Sequence, residues 1–383
     1  MKNFIFILIS LITLDVFSQK TVELFDSKKL GEEREITVSL PKSYEKETKR
    51  KYPLLVLLDG DYLYSTFQGT LTYGNYWDDL PEVIIVAVTQ NKNDERYEDC
   101  QWDEKLGLPI DKGKNFFEFL AIELMPYIEK SYRIAPFKII AGHDTTAGFS
   151  NLYLYKDDPV FDAYISLSPD LPTEMENLLP LAMNQINKPI FFYLATADGD
   201  IKKLQTKIKK LNEGLVPVEN PLFNYKFDDF KGATHYSLVL QGVPSALYQI
   251  FAVYQPISSL EYQEKLLTME SGQVQYLIDK YETIEKTLNI KMPMRLSDFK
   301  AIESAVISKK DYNALDELSI VAEKQYPKSM LHDYYMALMY EKKGLYEKAK
   351  KNYLSAMQKE PIGDLNKDSM YEKAEQMKSM PAE

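Results

Sequence analysis

Short apolar segments rich in β-branched and aromatic residues recur along the first two thirds of the chain, and most are separated by enough residues for a helix. Between residues 34 and 255 they read REITVSL, YPLLVLL, EVIIVAV, FKIIAG, FDAYISLS, PIFFYLAT and FNYKFDDF. Nearly continuous apolar strands with helix-length connections are typical of a parallel sheet covered on both faces. The pattern therefore predicts an α/β fold with a mostly parallel central sheet. One connecting helix is predicted over NFFEFLAIELMPYIEKSY, from its helical spacing of apolar residues.

The character of the sequence changes after Tyr254. The stretch QPISSLEY is typical of a linker, and everything beyond it is rich in Lys and Glu with helical patterning and no strand signals. The 383 residues are enough for one large domain and a smaller one. We therefore predict an α/β domain over residues 19–255 and a helical region over residues 256–383.

The first residues have the pattern of a secretory signal peptide. Lys2 precedes the apolar run FIFILISLITL, and residues suited to cleavage follow at Val16 to Ser18. The run has 11 residues, whereas a membrane-spanning helix needs roughly 20. We expect residues 1–18 to be removed, with no transmembrane anchor left, and a mature protein that begins near Gln19 and is periplasmic or extracellular.

Charge and cysteine content exclude several classes of protein. The formal net charge of −11 argues against a nucleic-acid partner, because phosphate binding depends on a basic surface. Cys100 is the only cysteine, so neither an intrachain disulfide nor a lipidated cysteine after the signal is possible. No cofactor and no resident metal are expected.

The segment YYMALMYEKKGLYEKAKKNYLSAMQKEP, at about 330–363, resembles a tetratricopeptide repeat, and DYNALDELSIVAEKQYP resembles a degenerate copy of it. The resemblance implies paired antiparallel helices, and we expect this region to contact a protein partner. An ordinary helical hairpin is the alternative. The positions that match the small, aromatic and proline positions of the repeat are Ala337, Tyr340, Gly344, Tyr346, Ala349, Tyr353, Ala356 and Pro361.

The first 255 residues resemble the putative esterase family of the α/β hydrolases, which includes enterochelin esterase-like and feruloyl esterase-like proteins. Six segments carry the resemblance, in the family's order: YPLLVLLDGDYLY, NDERYED, FLAIELMPYIEKSYRI, KIIAGHDTTAGFS, AYISLSPDL and FKGATHYSL. The resemblance implies an α/β-hydrolase fold, followed in this chain by a small all-α region that is similar to tetratricopeptide repeats.

The turn in KIIAGHDTTAGFS departs from the family at its reactive position. The family has a G-H-S-x-G-G pattern there, and Asp144 occupies the position of the nucleophilic serine after Gly142 and His143. Thr146 and Ala147 stand where two glycines belong. Because Thr146 is β-branched and the turn is crowded, we expect the turn to widen.

The resemblance also implies a catalytic histidine and an acid that orients it. His235, in GATHYS, matches the histidine, and the chain has only three histidines. The acid should follow the strand FFYLATADGD, where Asp198 is the first choice and Asp200 the second.

Two backbone segments would supply the oxyanion hole of such a site. The N–H of Thr145, after the reactive position, is one half, and a widened turn would displace it. The loop near Asp61 and Tyr62 would supply the other half.

The loop NDERYEDCQWD contains residues suited to a small ester or sugar-derived ligand. Arg96, Asp99 and Trp102 would lie beside the mouth of the site, where a guanidinium and an aromatic ring contact an acidic or ring-shaped ligand. The alternative is a surface loop that an Arg–Asp pair holds in place.

An aspartate at the reactive position has several interpretations. In the first, the protein has lost catalysis and is a binding protein. Asp144, His235 and the orienting acid then remain as a charge-balanced cluster. Alternatively, Asp144 is the nucleophile toward saturated carbon, as in haloalkane dehalogenases and epoxide hydrolases, or Thr146 is a shifted nucleophile. A divalent metal bound by Asp144, His235 and Asp198 is chemically suitable but has no supporting spacing motif.

Overall fold

The computed structural model describes residues 20–90, 92 and 94–380, so the predicted signal peptide lies outside the described residues. The described chain divides into two compact units. One comprises residues 20–75 and 81–250, and the other comprises residues 76–80 and 251–380. The main division, at Phe251, is close to the predicted linker, but the second unit also takes in a short segment from the middle of the first.

An eight-stranded sheet forms the centre of the first unit within the described residues, in the spatial order β1-β2-β4-β3-β5-β6-β7-β8. The β1–β2 and β2–β4 pairs are antiparallel, and all other pairs are parallel. The parallel strands β3, β4 and β6 are buried along their whole length, as continuous apolar runs require. The predicted mostly parallel sheet is confirmed. The strands are β1 (Lys20–Ser27), β2 (Glu32–Ser39), β3 (Tyr52–Leu57), β4 (Ile84–Val88), β5 (Ile134–His143), β6 (Ala163–Leu167), β7 (Ile190–Gly199) and β8 (Phe223–Thr234).

Helices connect these strands. The predicted helix over NFFEFLAIELMPYIEKSY is confirmed, although its middle, Phe119–Leu124, has π-helical hydrogen bonding. The helices up to residue 250 are α1 (Gly60–Tyr76), α2 (Glu95–Asp99), α3 (Asp111–Glu118), α4 (Met125–Ser131), α5 (Thr145–Ser150), α6 (Met175–Met183), α7 (Lys202–Leu215) and α8 (Leu238–Ile250).

Strand β1 has no counterpart among the predicted strands. It pairs with β2 alone, at the edge of the sheet, and the side chains of Val22 and Leu24 are 56% and 62% exposed. An edge strand with a solvated face does not need the continuous apolar run that marks the buried strands.

The second unit is helical, as predicted. Helices α13 (Leu331–Lys342) and α14 (Tyr346–Ala356) pack against each other as a hairpin, and both contain buried small residues, Ala337 in α13 and Ala349 and Ala356 in α14. No helix in residues 20–90, 92 and 94–380 is long and apolar enough to cross a membrane. The helices of this unit are α9 (Ser259–Glu261), α10 (Gln273–Leu288), α11 (Leu296–Lys309), α12 (Ala314–Gln325), α13 (Leu331–Lys342), α14 (Tyr346–Ala356) and α15 (Lys367–Lys378).

One buried arginine joins residues 76–80 to the rest of the helical unit. The Nε of Arg295 donates to a carboxylate oxygen of Asp78, and its Nη2 donates to the Asp78 carbonyl at 3.3 Å. The guanidinium lies 4.4 Å from the ring centre of Tyr254, whose hydroxyl also donates to Asp78 at 3.3 Å. Burial alone would lower the pKa of Arg295, but the hydrogen bond to Asp78 raises it, so the guanidinium stays charged.

Replacing Arg295 with Ala should lower the unfolding free energy by about 1–3 kcal/mol, because Asp78 loses its charge-assisted hydrogen bonds. The matched control is Lys286→Ala, which removes an exposed ion pair of 3.3 Å to Glu282 and should change the unfolding free energy by less than about 0.5 kcal/mol. Chemical denaturation of the full chain measures both. Equal effects of the two substitutions would contradict an anchoring role for Arg295.

Candidate functional site

The turn between β5 and α5 has the geometry of a nucleophile elbow. Its single residue outside both elements, Asp144, has φ 59° and ψ −120°, a conformation that is strained for any side chain. The backbone holds this conformation from both sides. The N–H of Asp144 donates to the Leu167 carbonyl at 3.0 Å, and its carbonyl accepts from the N–H of Asp170 at 3.0 Å. The Asp144 side chain is thereby presented at the carboxyl ends of the parallel strands.

The turn is closed, although Thr146 was expected to widen it. A Cβ on Gly142 would lie 2.7 Å from backbone atoms of Thr146 and Ala147, so the chain passes itself at a distance that only glycine permits. The hydroxyl of Thr146 is buried inside the turn, where it accepts from the His143 N–H at 3.0 Å and donates to Asp59 at 2.5 Å. These hydrogen bonds accommodate the β-branched side chain. They also leave Thr146 buried and bonded, which argues against its role as a shifted nucleophile.

Arg96 is a cation that contacts the elbow. Its Nε and Nη2 donate to the two carboxylate oxygens of Asp59, at 2.6 and 3.2 Å, and Nη2 also donates to the His143 carbonyl at 2.8 Å. Its Nη1 lies 3.4 Å from the Asp144 carboxylate. Burial alone would lower the pKa of Arg96, but the hydrogen bonds and charge of Asp59 raise it. The guanidinium therefore stays charged between two carboxylates.

Asp59 is the functional residue that sequence reasoning missed. It lies two residues after the buried end of β3, has φ 52°, and its side chain is fully buried. Besides Arg96, its carboxylate accepts from the hydroxyls of Tyr62, at 2.9 Å, and Thr146. An aspartate at the carboxyl end of a predicted buried strand was the signal that could have indicated it.

On the other side of the elbow, His235 is paired with a carboxylate. Its Nδ1 lies 2.8 Å from Asp200, and the hydroxyl of Ser168 lies within 3.0 Å of both groups. Asp200 also accepts from the hydroxyl of Thr196 at 2.7 Å. Burial raises the pKa of Asp200, but the hydrogen bonds from His235, Thr196 and Ser168 outweigh it and lower the pKa to about 2. Asp200 is therefore ionised at neutral pH.

The first choice of orienting acid was wrong. Asp198 is exposed, and its carboxylate accepts from the N–H of Gly232 at 2.9 Å. The second choice, Asp200, contacts the histidine instead. The β7–β8 register shifts between Ala197 and Gly199, and this irregularity separates the directions of the two carboxylates.

Asp144 and His235 do not form the charge-balanced cluster that the sequence suggested. Among the described residues, the polar side-chain contacts of Asp144 are those to Arg96 and, at 3.5 Å, to the hydroxyl of Thr145. No three His, Cys, Asp or Glu side chains in the described part of the chain lie close enough together to hold a metal. The combination of Asp144, His235 and Asp198 is thus not a ligand set.

His143 links the elbow to the loop that carries His235. Its Nε2 lies 3.0 Å from the His235 carbonyl, which can only accept, so Nε2 carries the hydrogen. Its Nδ1 lies 2.9 Å from the Tyr62 hydroxyl, whose single hydrogen is shared between Nδ1 and the Asp59 carboxylate. Burial and the neighbouring His235 lower the pKa of His143 to about 4. The imidazole of His143 is therefore neutral at pH 7, and it holds the two loops together.

Two of the residues expected around the oxyanion hole, Thr145 and Tyr62, lie beside the elbow. Thr145 begins α5, Tyr62 contacts Asp59 and His143, and the Asp61 carboxylate accepts from the Gln90 N–H at 3.0 Å. Their role in stabilising an oxyanion stays a prediction.

The structure places the three pocket residues expected from NDERYEDCQWD in different surroundings. Arg96 reaches the elbow, but Asp99 is fully buried and pairs with Arg34 at 2.5 Å, so the expected Arg96–Asp99 pair does not form. Trp102 is half-buried, and its backbone pairs with that of Pro109. Asp99 is therefore a structural residue that a ligand cannot reach.

Comparisons with known proteins agree with this geometry. The family model described as Putative esterase matches residues 27–189. The crystal structure of an uncharacterised protein from Capnocytophaga ochracea is 30% identical, with a TM-score of 0.83, over 94% of this chain and 100% of its own. This chain belongs to the putative esterase family of the α/β hydrolases. The similarity to the Capnocytophaga ochracea structure extends over the helical unit, because it covers nearly the whole of this chain.

More distant structures share the fold of the family. An IroE-like serine hydrolase from Shewanella oneidensis is 21% identical, with a TM-score of 0.61, over 80% of this chain and 98% of its own. The BES protein from Bacillus cereus is 23% identical, with a TM-score of 0.52, over 61% of this chain and 94% of its own. No curated protein matches the chain.

His143 should make the stability of this esterase-fold protein depend on pH. The folded state binds a proton at His143 only near pH 4, whereas an unfolded histidine binds one near pH 6.5. As the pH falls from 7 to 5, protonation of the unfolded state should lower the unfolding free energy by about 2 kcal/mol. Denaturation curves at both pH values measure this loss.

His143→Gln should abolish this part of the pH dependence. His332→Gln is the matched control, because it removes a histidine from the helical unit and leaves the elbow intact. An unchanged pH dependence in His143→Gln would show that other groups cause it.

Proposed function

We propose that this protein binds a small ligand at the elbow and does not hydrolyse carboxylic esters, because Asp144 replaces the nucleophilic serine. The observation that carries the proposal is the ion pair of 3.4 Å between Asp144 and Arg96 at the strained turn. An esterase needs a hydroxyl there that attacks a carbonyl carbon after losing its proton to a histidine. A carboxylate held by a guanidinium is a weak nucleophile, and its negative charge opposes the oxyanion that forms beside it.

The surroundings of Arg96 support the same conclusion. Its donors are directed at Asp59, Asp144 and the His143 carbonyl, all of which are fixed parts of the protein. The guanidinium thus balances resident carboxylates and is not free to stabilise charge on a substrate. A carboxylate paired with a guanidinium has no hydroxyl hydrogen to give, so His235 has no proton to accept from Asp144.

The exposed groups beside the elbow suit a ligand with hydroxyl groups and a ring. The Asp144 side chain is 22% exposed and can accept hydrogen bonds from hydroxyl groups. Tyr236 is 78% exposed, with its ring centre 5.0 Å from that of His235, and it offers a flat apolar face. Of the small ester and sugar-derived ligands that the sequence suggested, a sugar-derived ligand makes better use of both groups.

One observation favours a second function, in which Asp144 attacks a saturated carbon. The pair of His235 and Asp200 is complete, and it is the arrangement that would activate water to cleave an ester formed on Asp144. This reaction needs the carboxylate of Asp144 to leave Arg96 and form an ester bond to the carbon, while the carbon–halogen bond breaks and halide departs or the epoxide C–O bond opens.

The wild-type protein should not turn over p-nitrophenyl acetate above background, whereas Asp144→Ser should gain measurable hydrolysis. The gain is expected because the turn already has the strained elbow conformation and His235 is already paired with Asp200. Adding His235→Ala to Asp144→Ser should reduce the gained rate by about 10²-fold or more. Asp198→Asn, which alters an exposed carboxylate away from His235, is the control that should leave the gained rate unchanged.

Two results would contradict the proposal. Ester hydrolysis by the wild type that persists in Asp144→Ala would point to another nucleophile. Turnover of an epoxide or alkyl halide by the wild type, with an alkyl adduct on Asp144 detected by mass spectrometry in His235→Gln, would establish the second function instead.

Export of the protein is also our proposal, and it is supported only by the pattern of residues 1–18. The mature protein purified from its native host should begin near Gln19 and be found in the periplasm or outside the cell. Mass spectrometry that finds Met1 intact would overturn this. The protein partner of the helical unit stays a prediction, supported only by the resemblance to tetratricopeptide repeats.

A further inference from the structure

Ser168 follows β6 in a strained conformation, and every hydrogen bond of its side chain goes to the pair of His235 and Asp200. Its φ is 44°, a value that a serine adopts only when its surroundings impose it, and it is fully buried. Its hydroxyl lies 2.8 and 2.7 Å from the two carboxylate oxygens of Asp200 and 3.0 Å from Nδ1 of His235. Because the strained backbone places the Ser168 hydroxyl against His235 and Asp200, the geometry indicates a role for Ser168 in that pair.

The hydrogen positions follow from counting donors and acceptors. Asp200 accepts from the hydroxyls of Ser168 and Thr196, the N–H of Ile201 and Nδ1 of His235. The carboxylate is ionised and can only accept, so the Nδ1 that lies 2.8 Å from it carries the hydrogen. The single hydrogen of the Ser168 hydroxyl is donated to Asp200, which leaves a lone pair of its oxygen facing the Nδ1–H.

We propose that Ser168 is a positioning residue, which acts through Asp200 and Nδ1 to fix the ring orientation and the tautomer of His235. Thr196 and the Ile201 N–H already hold the Asp200 carboxylate, but the ring of His235 could still turn about its own bonds while Nδ1–H stays bonded to Asp200. The Ser168 oxygen contacts both groups and removes that freedom. In the neutral ring the hydrogen is thereby kept on Nδ1, and Nε2, on the side of the ring away from Asp200, is held in one direction, whether it meets a ligand or a reacting group.

Exchange of the His235 Nδ1–H with water tests the proposal in the full-length protein. The chain has only three histidines, so labelling with ¹⁵N-histidine gives few resonances, and His143→Gln and His332→Gln assign them. We expect the wild type to show a protected Nδ1–H for His235, with ¹⁵N shifts of that tautomer. Ser168→Ala and Ser168→Gly should both exchange this hydrogen about fivefold faster or more, as expected for the loss of one hydrogen bond.

The two substitutions separate the hydroxyl from the backbone strain. Glycine adopts a positive φ without strain, so Ser168→Gly should fold at least as well as Ser168→Ala, yet it lacks the same hydroxyl. Ser166→Ala is the matched control, because Ser166 lies near the end of β6, two residues before Ser168, and its hydroxyl accepts from Asn151 at 2.9 Å instead of contacting Asp200. It should leave the exchange rate unchanged.

Three results would overturn the proposal. They are an unprotected Nδ1–H in the wild type, unchanged protection in Ser168→Gly, and equal acceleration in Ser166→Ala. The measurement needs neither ligand nor turnover, so its outcome does not depend on whether the protein hydrolyses esters.

Discussion

The guanidinium of Arg96 lies between the carboxylates of Asp59 and Asp144, and the arrangement of the elbow depends on it. Two carboxylates in one partly buried site repel each other unless a cation is shared between them. Because Arg96 supplies that charge, Asp59 can stay buried and accept from the hydroxyls of Tyr62 and Thr146. Hydrogen bonds therefore join three segments, namely the loop after β3, the elbow and helix α2. The charge of Asp144 at the turn is paired with that of Arg96.

The fold could be predicted because buried strands have a recognisable apolar pattern in the sequence. Parallel strands covered on both faces must be apolar throughout, and β3, β4 and β6 are. Strand β1 lacks that apolar pattern because it pairs on one side only and is partly exposed to solvent. The elbow could also be located, since it joins an apolar strand to a glycine-containing turn of fixed length.

The contacts within the site could not be predicted to the same extent, because they depend on local register and on long-range pairing. Asp198 and Asp200 are two residues apart, and an irregularity at the end of β7 decides which one faces His235. Asp99 is three residues from Arg96 in sequence, yet it pairs with Arg34, 65 residues away. Spacing along the chain contains no information about either outcome.

The contact between Asp78 and Arg295 has a consequence for the order of events during synthesis. The two residues are 217 positions apart, and Asp78 leaves the ribosome long before its partner does. Domains usually fold as units as they emerge, the N-terminal one first. Here the helical unit is completed by a segment made early, at the end of α1, so residues 76–80 wait without their native partner until α11 has been translated. That interval is when this segment, which includes the exposed Trp77, is open to chaperones and to unwanted association.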